Sequence, residues 1–262
     1  MTSQVRKGVN VSVRDEIINH LREALEPLHF IYALWLEGAD ATGIDDEYSD
    51  IDFWVDVEDA YESRAFDAVE TALSSFAQID YKCVTLKEHP QLRQRIYHLS
   101  GTSEYLLIDF NAQLHSRPKA EYTYIENDTI EAVVVLFDKD NIIRYKPLVL
   151  SEYTDWNGIR LEQAKYRRSQ QIRAEKYVRR GHYLEAYAYY NRYVLEPLID
   201  LLRLIYTPAH ADYYLVHISQ HLPVFELEKL EFFARINSLE DIAEKLPQAG
   251  KWFDELVIRV YL

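Results

Sequence analysis

A chain of 262 residues suits one large domain or two modest ones, and 48% hydrophobic residues make it globular rather than disordered. With 43 acids against 29 bases, its formal charge of −14 repels nucleic acid over most of the surface and favours a cationic small molecule. The single cysteine, Cys83, excludes a disulfide framework and a cysteine-based zinc site within one chain.

The first residues, "MTSQVRKGVNVSV", hold no apolar leader, and no run approaches 18 apolar residues. The expectation is a cytoplasmic protein, monomer or homodimer, with neither membrane nor nucleic acid as partner. Residues 13–28 repeat Val13, Ile17, Ile18, Leu21 and Leu25 at helical spacing. "FIYALWLEG" then reads as a strand ended by Gly38, followed by a flexible loop, and "DIDFWVDV" as a second strand. "YESRAFDAVETALSSF" has helical spacing, "IDYKCVTL" reads as a strand, and "HPQLRQRIYHL" as a short helix after Pro90. "SEYLLIDFNAQLH" alternates over about ten residues, and "EAVVVLFDKD" is a further strand.

From about Trp156 glycine and β-branched residues thin out. Helices are expected over residues 160–181, 182–206, 210–222, 224–236 and 238–262, with boundaries at Gly181 and Pro208 and a kink at Pro197. The resulting picture is an α/β N-terminal domain, 1–150, and an all-helical C-terminal domain, 151–262.

The feature that asks for a chemical explanation is Asp50-Ile51-Asp52 within an apolar strand. Alternation puts both carboxylates on one face while Ile51 and Phe53 enter the core. Two ionised carboxylates ~4 Å apart repel by ~4 kcal/mol at an effective dielectric near 20, so the pair asks for a proton or a cation. Mg2+ prefers such hard oxygen ligands and keeps positions open for phosphate. Gly38, just upstream, would let a phosphate approach the backbone. A third acid, Asp109, also stands between apolar neighbours in a strand; Glu104 is its rival. Asp109 would serve as a third ligand or as general base on an attacking hydroxyl.

On these residues the run "EGADATGIDDEYSDIDFWV" resembles the signature of the DNA polymerase beta-like nucleotidyltransferase superfamily: strand, Gly-Ser, glycine-containing loop, then Ser-Asp-x-Asp in an apolar strand. Asp109 matches the third acid. In size and helical C-terminal half the chain is most similar to the small antibiotic nucleotidyltransferases acting on aminoglycosides and lincosamides. "VVVLFDKDNIIRY" resembles the strand closing their N-terminal domain, and "RRGHYLEAYAYYNRYVLEPLIDLLRL" a C-terminal helix pair. The resemblance implies an α+β fold, with a nucleotidyltransferase-type mixed sheet and flanking helices before an all-helical substrate-binding domain.

It also implies a reaction. ATP or another nucleoside triphosphate binds with Mg2+, a hydroxyl of a small-molecule acceptor attacks the α-phosphorus, and pyrophosphate leaves. Asp50, Asp52 and Asp109 would be the metal-binding and catalytic acids, and Gly38, Ala39 and Ser49 would lie at the nucleotide phosphates. Ala39 stands where the family has serine; a lost hydrogen bond to a charged phosphate would cost ~1.5–3 kcal/mol. Asp40 beside it adds negative charge with no explanation in the sequence.

In such enzymes the acceptor sits between the domains. Tyr183, Tyr187, Tyr190 and Tyr193, at helical spacing with Glu185 nearby, would suit a polyamine or aminosugar, or would simply pack a helix pair. Of the basic run Lys165, Arg167, Arg168, Arg173, Lys176, Arg179 and Arg180, one or two would reach the triphosphate. The leading function is AMP transfer from ATP to a hydroxyl of a small, cationic compound such as an aminoglycoside or lincosamide-like molecule. The alternative is a catalytically impaired relative that binds a nucleotide or a partner protein. The charge argues against a polynucleotide substrate.

Overall fold

The computed structural model describes residues 12–85 and 89–261. The N-terminal stretch read as lacking an apolar leader lies outside them, apart from its last two residues, as does Leu86 at the end of the expected strand 79–86. The chain divides into two compact units, one up to Leu148 and a second from Val149 to Leu262.

The first unit begins with α1 (Val13–Leu25), N-capped by Ser12, whose side chain accepts from the Asp15 N–H while Asp15 answers back to the Ser12 N–H. There follow β1 (Ile31–Leu36), the short α2 (Gly38–Thr42), β2 (Ile51–Val57), α3 (Glu62–Phe76), β3 (Ile79–Val84), β4 (Leu92–Leu99), β5 (Ile108–Leu114), β6 (Thr123–Ile125), β7 (Val134–Asp138) and β8 (Arg144–Lys146). Six strands form one sheet in the order β3-β4-β5-β2-β1-β7, and β6 pairs with β8 separately. Within the large sheet β2 and β5 run parallel, while the other pairs are antiparallel.

Alternation gives this sheet two unlike faces. Ile51, Phe53, Val55 and Val57 of β2 join Ile108, Phe110, Ala112 and Leu114 of β5 in a core with Ile17 and Leu21 of α1 and Phe66, Val69 and Leu73 of α3. The opposite face carries Asp52, Trp54 and Asp56 on β2 and Asp109, Asn111 and Gln113 on β5. Every polar residue of these two strands is on that face.

Two expectations fail here. Residues 92–99 are a strand. Leu92, Ile96 and Leu99 share a helical stripe in the sequence, but the segment pairs with β3 on one side and β5 on the other. Tyr97 and Leu99 are thereby buried, while Arg95 bonds Glu70 and lies over Phe66. Non-local ladder bonds on both edges outweigh local periodicity. The segment after Gly38 is the helical turn α2, not a flexible loop.

The second unit is helical: α4 (Thr154–Ser169), α5 (Ile172–Arg179), α6 (Tyr183–Tyr190), α7 (Glu196–Tyr206), α8 (Ile218–His221), α9 (Val224–Ala234) and α10 (Leu239–Val260). The helix expected over 160–181 is broken at Gln170–Gln171. The one expected over 210–222 is largely a 3-10 turn (Pro208–Tyr213) and an irregular bend, with only α8 helical. Instead of a simple kink, Pro197 follows a π-helical turn over Asn191–Leu195. Proline has no N–H to offer the carbonyl of Tyr193, and the helix widens just before it. No helix among the described residues is long and apolar enough to cross a membrane.

Candidate active site

At the end of β1 the chain turns at Gly38 with φ +62°. A β-carbon there would lie 2.0 Å from Oδ2 of Asp52. The glycine is therefore required by the close approach of a carboxylate as well as by the left-handed backbone. The α2 turn is closed by Gly43, also left-handed, whose N–H donates to the Ala39 carbonyl. Ser49 does not present a spare hydroxyl: its Oγ donates to Asp46 Oδ1 at 2.9 Å and accepts from the Asp46 N–H at 3.0 Å.

Asp52 and Asp109 are direct neighbours in the β2–β5 register, with Asp50 two residues ahead of Asp52. Ile51, Phe53, Ile108 and Phe110, all buried, anchor the two strands from behind. Burial first, and then the charges of Asp109, Asp50, Asp40 and Glu37, push the Asp52 carboxyl up to about 6. Burial also raises Asp109, against hydrogen bonds from Gln94 and Asn111, with Asp50 adding to the rise. Asp50 is raised by burial and opposed by the Leu107 N–H and by Arg14. Among the described residues no Lys, Arg or His forms a salt bridge with any of the three. They are not drawn into one tight cluster with an oxygen of each within 4.8 Å of the others. Glu104, the rival third acid, is exposed ahead of β5.

Four further side chains shape the site. Arg14 of α1 grips Asp40 through two bonds of 2.7 and 2.9 Å, and donates to the backbone carbonyls of Ser49 (2.8 Å) and Asp50. This explains Asp40: its charge is matched by Arg14, and the pair ties α1 and α2 to the approach to β2. An arginine in the first turn of an amphipathic helix gives no sign of such a role. Glu37 accepts from Trp35 Nε1 (3.0 Å) and the Tyr124 hydroxyl (2.5 Å), and burial raises its carboxyl. Gln94 Nε2 donates to both oxygens of Asp109 (2.9 and 2.8 Å), and Asn111 Nδ2 to one of them (3.1 Å). Asn111 follows Asp109 by two, so alternation pointed to it; Gln94 was hidden by the helical stripe of its segment.

An all-oxygen donor set whose charges raise one another fits a hard divalent cation.

In the helical unit the expected ligand groups are largely occupied by each other. Tyr190 is buried and donates to the Phe233 carbonyl, Tyr183 donates to that of Ile236, and Tyr193 stacks on Tyr189. Arg167 bonds Asp200, Lys165 bonds Glu162, Arg179 bonds Glu175, and Arg168 lies over Phe253.

No protein-family model matches the chain, and no curated protein sequence matches it. Among solved structures it is similar to an aminoglycoside 6-adenyltransferase from Bacillus subtilis, at 14% identity and a TM-score of 0.35, covering 94% of this chain and 88% of that one. It is also similar to a spectinomycin adenyltransferase from Enterococcus faecialis, crystallised with ATP and spectinomycin, at 10% identity and a TM-score of 0.34, covering 94% and 99%. A third is the Helicobacter pylori protein JHP933, at 11% identity and a TM-score of 0.30, again covering 94% and 99%. Overlaps this loose say nothing about chemistry, which rests on the carboxylates.

Proposed function

We propose that the chain is a magnesium-dependent nucleotidyltransferase that moves a nucleoside monophosphate, AMP from ATP in the first instance, onto a hydroxyl of a small molecule. The observation that carries this reading is that Asp52 and Asp109 are register neighbours on one polar sheet face, with Asp50 two residues ahead and no salt bridge to any of the three among the described residues. A fold that sets half-buried acids side by side without an ion-pair partner suits a cation. Bound to these acids, Mg2+ supplies charge neutralisation for the nonbridging oxygens and the departing pyrophosphate.

The chain's own groups do the rest. The Gly38 turn brings backbone against Asp52, and Arg14 holds the approach to β2 while cancelling the charge of Asp40. Asp109, held by Gln94 and Asn111, accepts the proton of the attacking hydroxyl. The acceptor oxygen bonds to the α-phosphorus, the bond from that phosphorus to the bridging oxygen breaks, and pyrophosphate departs.

Pyrophosphate release is the test, with ATP, GTP, CTP and UTP each offered aminoglycosides, lincosamides and cellular hydroxyl compounds. Magnesium-dependent release that Asp52→Asn abolishes supports the proposal. Equal signals from wild type and variant across the whole panel reject it.

A further inference from the structure

The polar face of the sheet continues past the acids. Trp54 of β2, Asn111 of β5 and Gln94 of β4 are register neighbours, forming a row one step beyond the Asp52–Asp109 pair. Successive same-face positions on a strand are roughly 6.6 Å apart. This row forms one side of an open cavity of about 710 Å3, completed by Cys83, Thr85 and His89. The cavity therefore lies along the strands that carry the acids, one step further on, and reaches across β4 to β3.

The chemistry of the lining is specific. Gln94 spends both N–H groups on Asp109 and Asn111 spends one, and no described group donates to either amide oxygen. Neither oxygen is a buried orphan, so both are open to a ligand's donors. The indole of Trp54, half-buried and stacked on Trp35, offers an apolar surface beside them. Among the described lining residues none is acidic, and the charge of Arg93 is matched by Glu62 at 2.8 Å. Nothing described there selects a cation.

We propose that this cavity is the acceptor subsite and that it takes a polyhydroxylated ring, recognised by its hydroxyls and not by positive charge. Ring C–H groups lie against the indole, one or two hydroxyls donate to the amide oxygens, and a further hydroxyl reaches Asp109. That hydroxyl passes its proton to Asp109 as its oxygen bonds to the α-phosphorus, and pyrophosphate leaves with the electrons of the broken bond. The subsite's role in catalysis rests on the nucleotidyltransferase reading; its ability to bind a polyol does not.

Cys83, the chain's one cysteine, is a built-in reporter. The full-length protein is alkylated with N-ethylmaleimide, with Mg2+ and a nonhydrolysable ATP analogue present, alone and with myo-inositol, glucose or spermidine. At least one of the first two is expected to slow alkylation about fivefold when present at roughly four times its dissociation constant, with spermidine without effect. The Cys83→Trp protein, checked for an unchanged melting profile, is expected to raise KM for the protecting compound by about tenfold. Protection by spermidine alone, or by nothing, overturns the proposal, as does an unchanged KM in the filled cavity. Should magnesium-dependent turnover persist while no polyol protects Cys83, the subsite fails and the enzyme reading stands. Should a polyol protect Cys83 while no nucleotide releases pyrophosphate, the enzyme reading fails and the cavity stands as a polyol site.

Discussion

Two groups of carboxylates, one in each unit, are treated in opposite ways. In the helical unit Asp200, 4% exposed, receives Arg160 at 3.3 Å and Arg167 at 2.6 Å, and Glu226, 1% exposed, receives Arg259 and the Tyr206 hydroxyl. In the sheet unit the half-buried Asp109 receives two side-chain amides and the exposed Asp50 a backbone N–H, and among the described residues neither they nor the half-buried Asp52 form a salt bridge. The same residue type has its counter-charge supplied by the fold in one place and withheld in the other. β2 itself repeats the contrast: four residues beyond Asp52, the buried Asp56 is bonded by His115 and Gln113, each at 2.7 Å.

The largest effect that would break this contrast is chemical. Asp52→Asn should lower magnesium-dependent pyrophosphate release by more than about 10²-fold, since even an outer partner of a metal ligand is worth 10–100-fold. The same variant should melt no lower than wild type in the absence of metal, because it removes a repulsion. An Asp52→Asn protein that keeps its activity, or that melts far below wild type, would make this acid as structural as Asp200. The mirror experiment is Asp200→Ala. Leaving Arg160 and Arg167 facing a vacated partner should cost about 3 kcal/mol in urea unfolding, and magnesium should not restore it.

Gly38→Ala is smaller but touches both sides of the comparison. The left-handed backbone alone costs about 1–2 kcal/mol for a non-glycine residue, and the new methyl must displace Asp52. Loss of stability together with weaker magnesium dependence of pyrophosphate release is expected; a stability loss with unchanged magnesium dependence would separate the glycine from the acids.

The smallest effect is in pH. Asp52 ionises near 6 in the folded protein, above its ordinary 3.8. Between those values the folded state binds more protons than the unfolded one, so this carboxyl's contribution is fully present below about pH 3.8 and lost as pH rises through about 6. The stability difference between wild type and Asp52→Asn should shift by on the order of 1–2 kcal/mol across that window, against wild type as pH rises. Added Mg2+ should flatten the shift. A difference independent of pH would mean that neither burial nor the neighbouring acids raise this carboxyl in the folded protein.

Much of the candidate site was legible because it is local. Asp50 and Asp52 are two residues apart, and Asp109 stands between Ile108 and Phe110, so period-two alternation alone puts each on the polar face. What brought Asp109 beside Asp52 is the parallel pairing of β2 with β5, between segments more than fifty residues apart. Arg14 and Gln94 were missed for the same reason. Their partners, at Asp40 and Asp109, lie on other elements, and nothing within a few residues of either marks the bond. Ser49, expected at the phosphates, closes a turn with Asp46, and Asp40, unexplained in the sequence, holds Arg14.

The sequence by itself determined the division into a strand-rich half and a helical half, the apolar backs of β2 and β5, and the presence of acids where a core strand should have none. All of these follow from the repeat of hydrophobic side chains along a short stretch of backbone. Only the tertiary structure decided which carboxylates found a cation within the protein, that residues 92–99 are a strand, and that Gln94 and Trp54 line one cavity. Those outcomes depend on which distant segments pair. Pairing energies are summed over a whole ladder and a whole core, so no local window of sequence contains them.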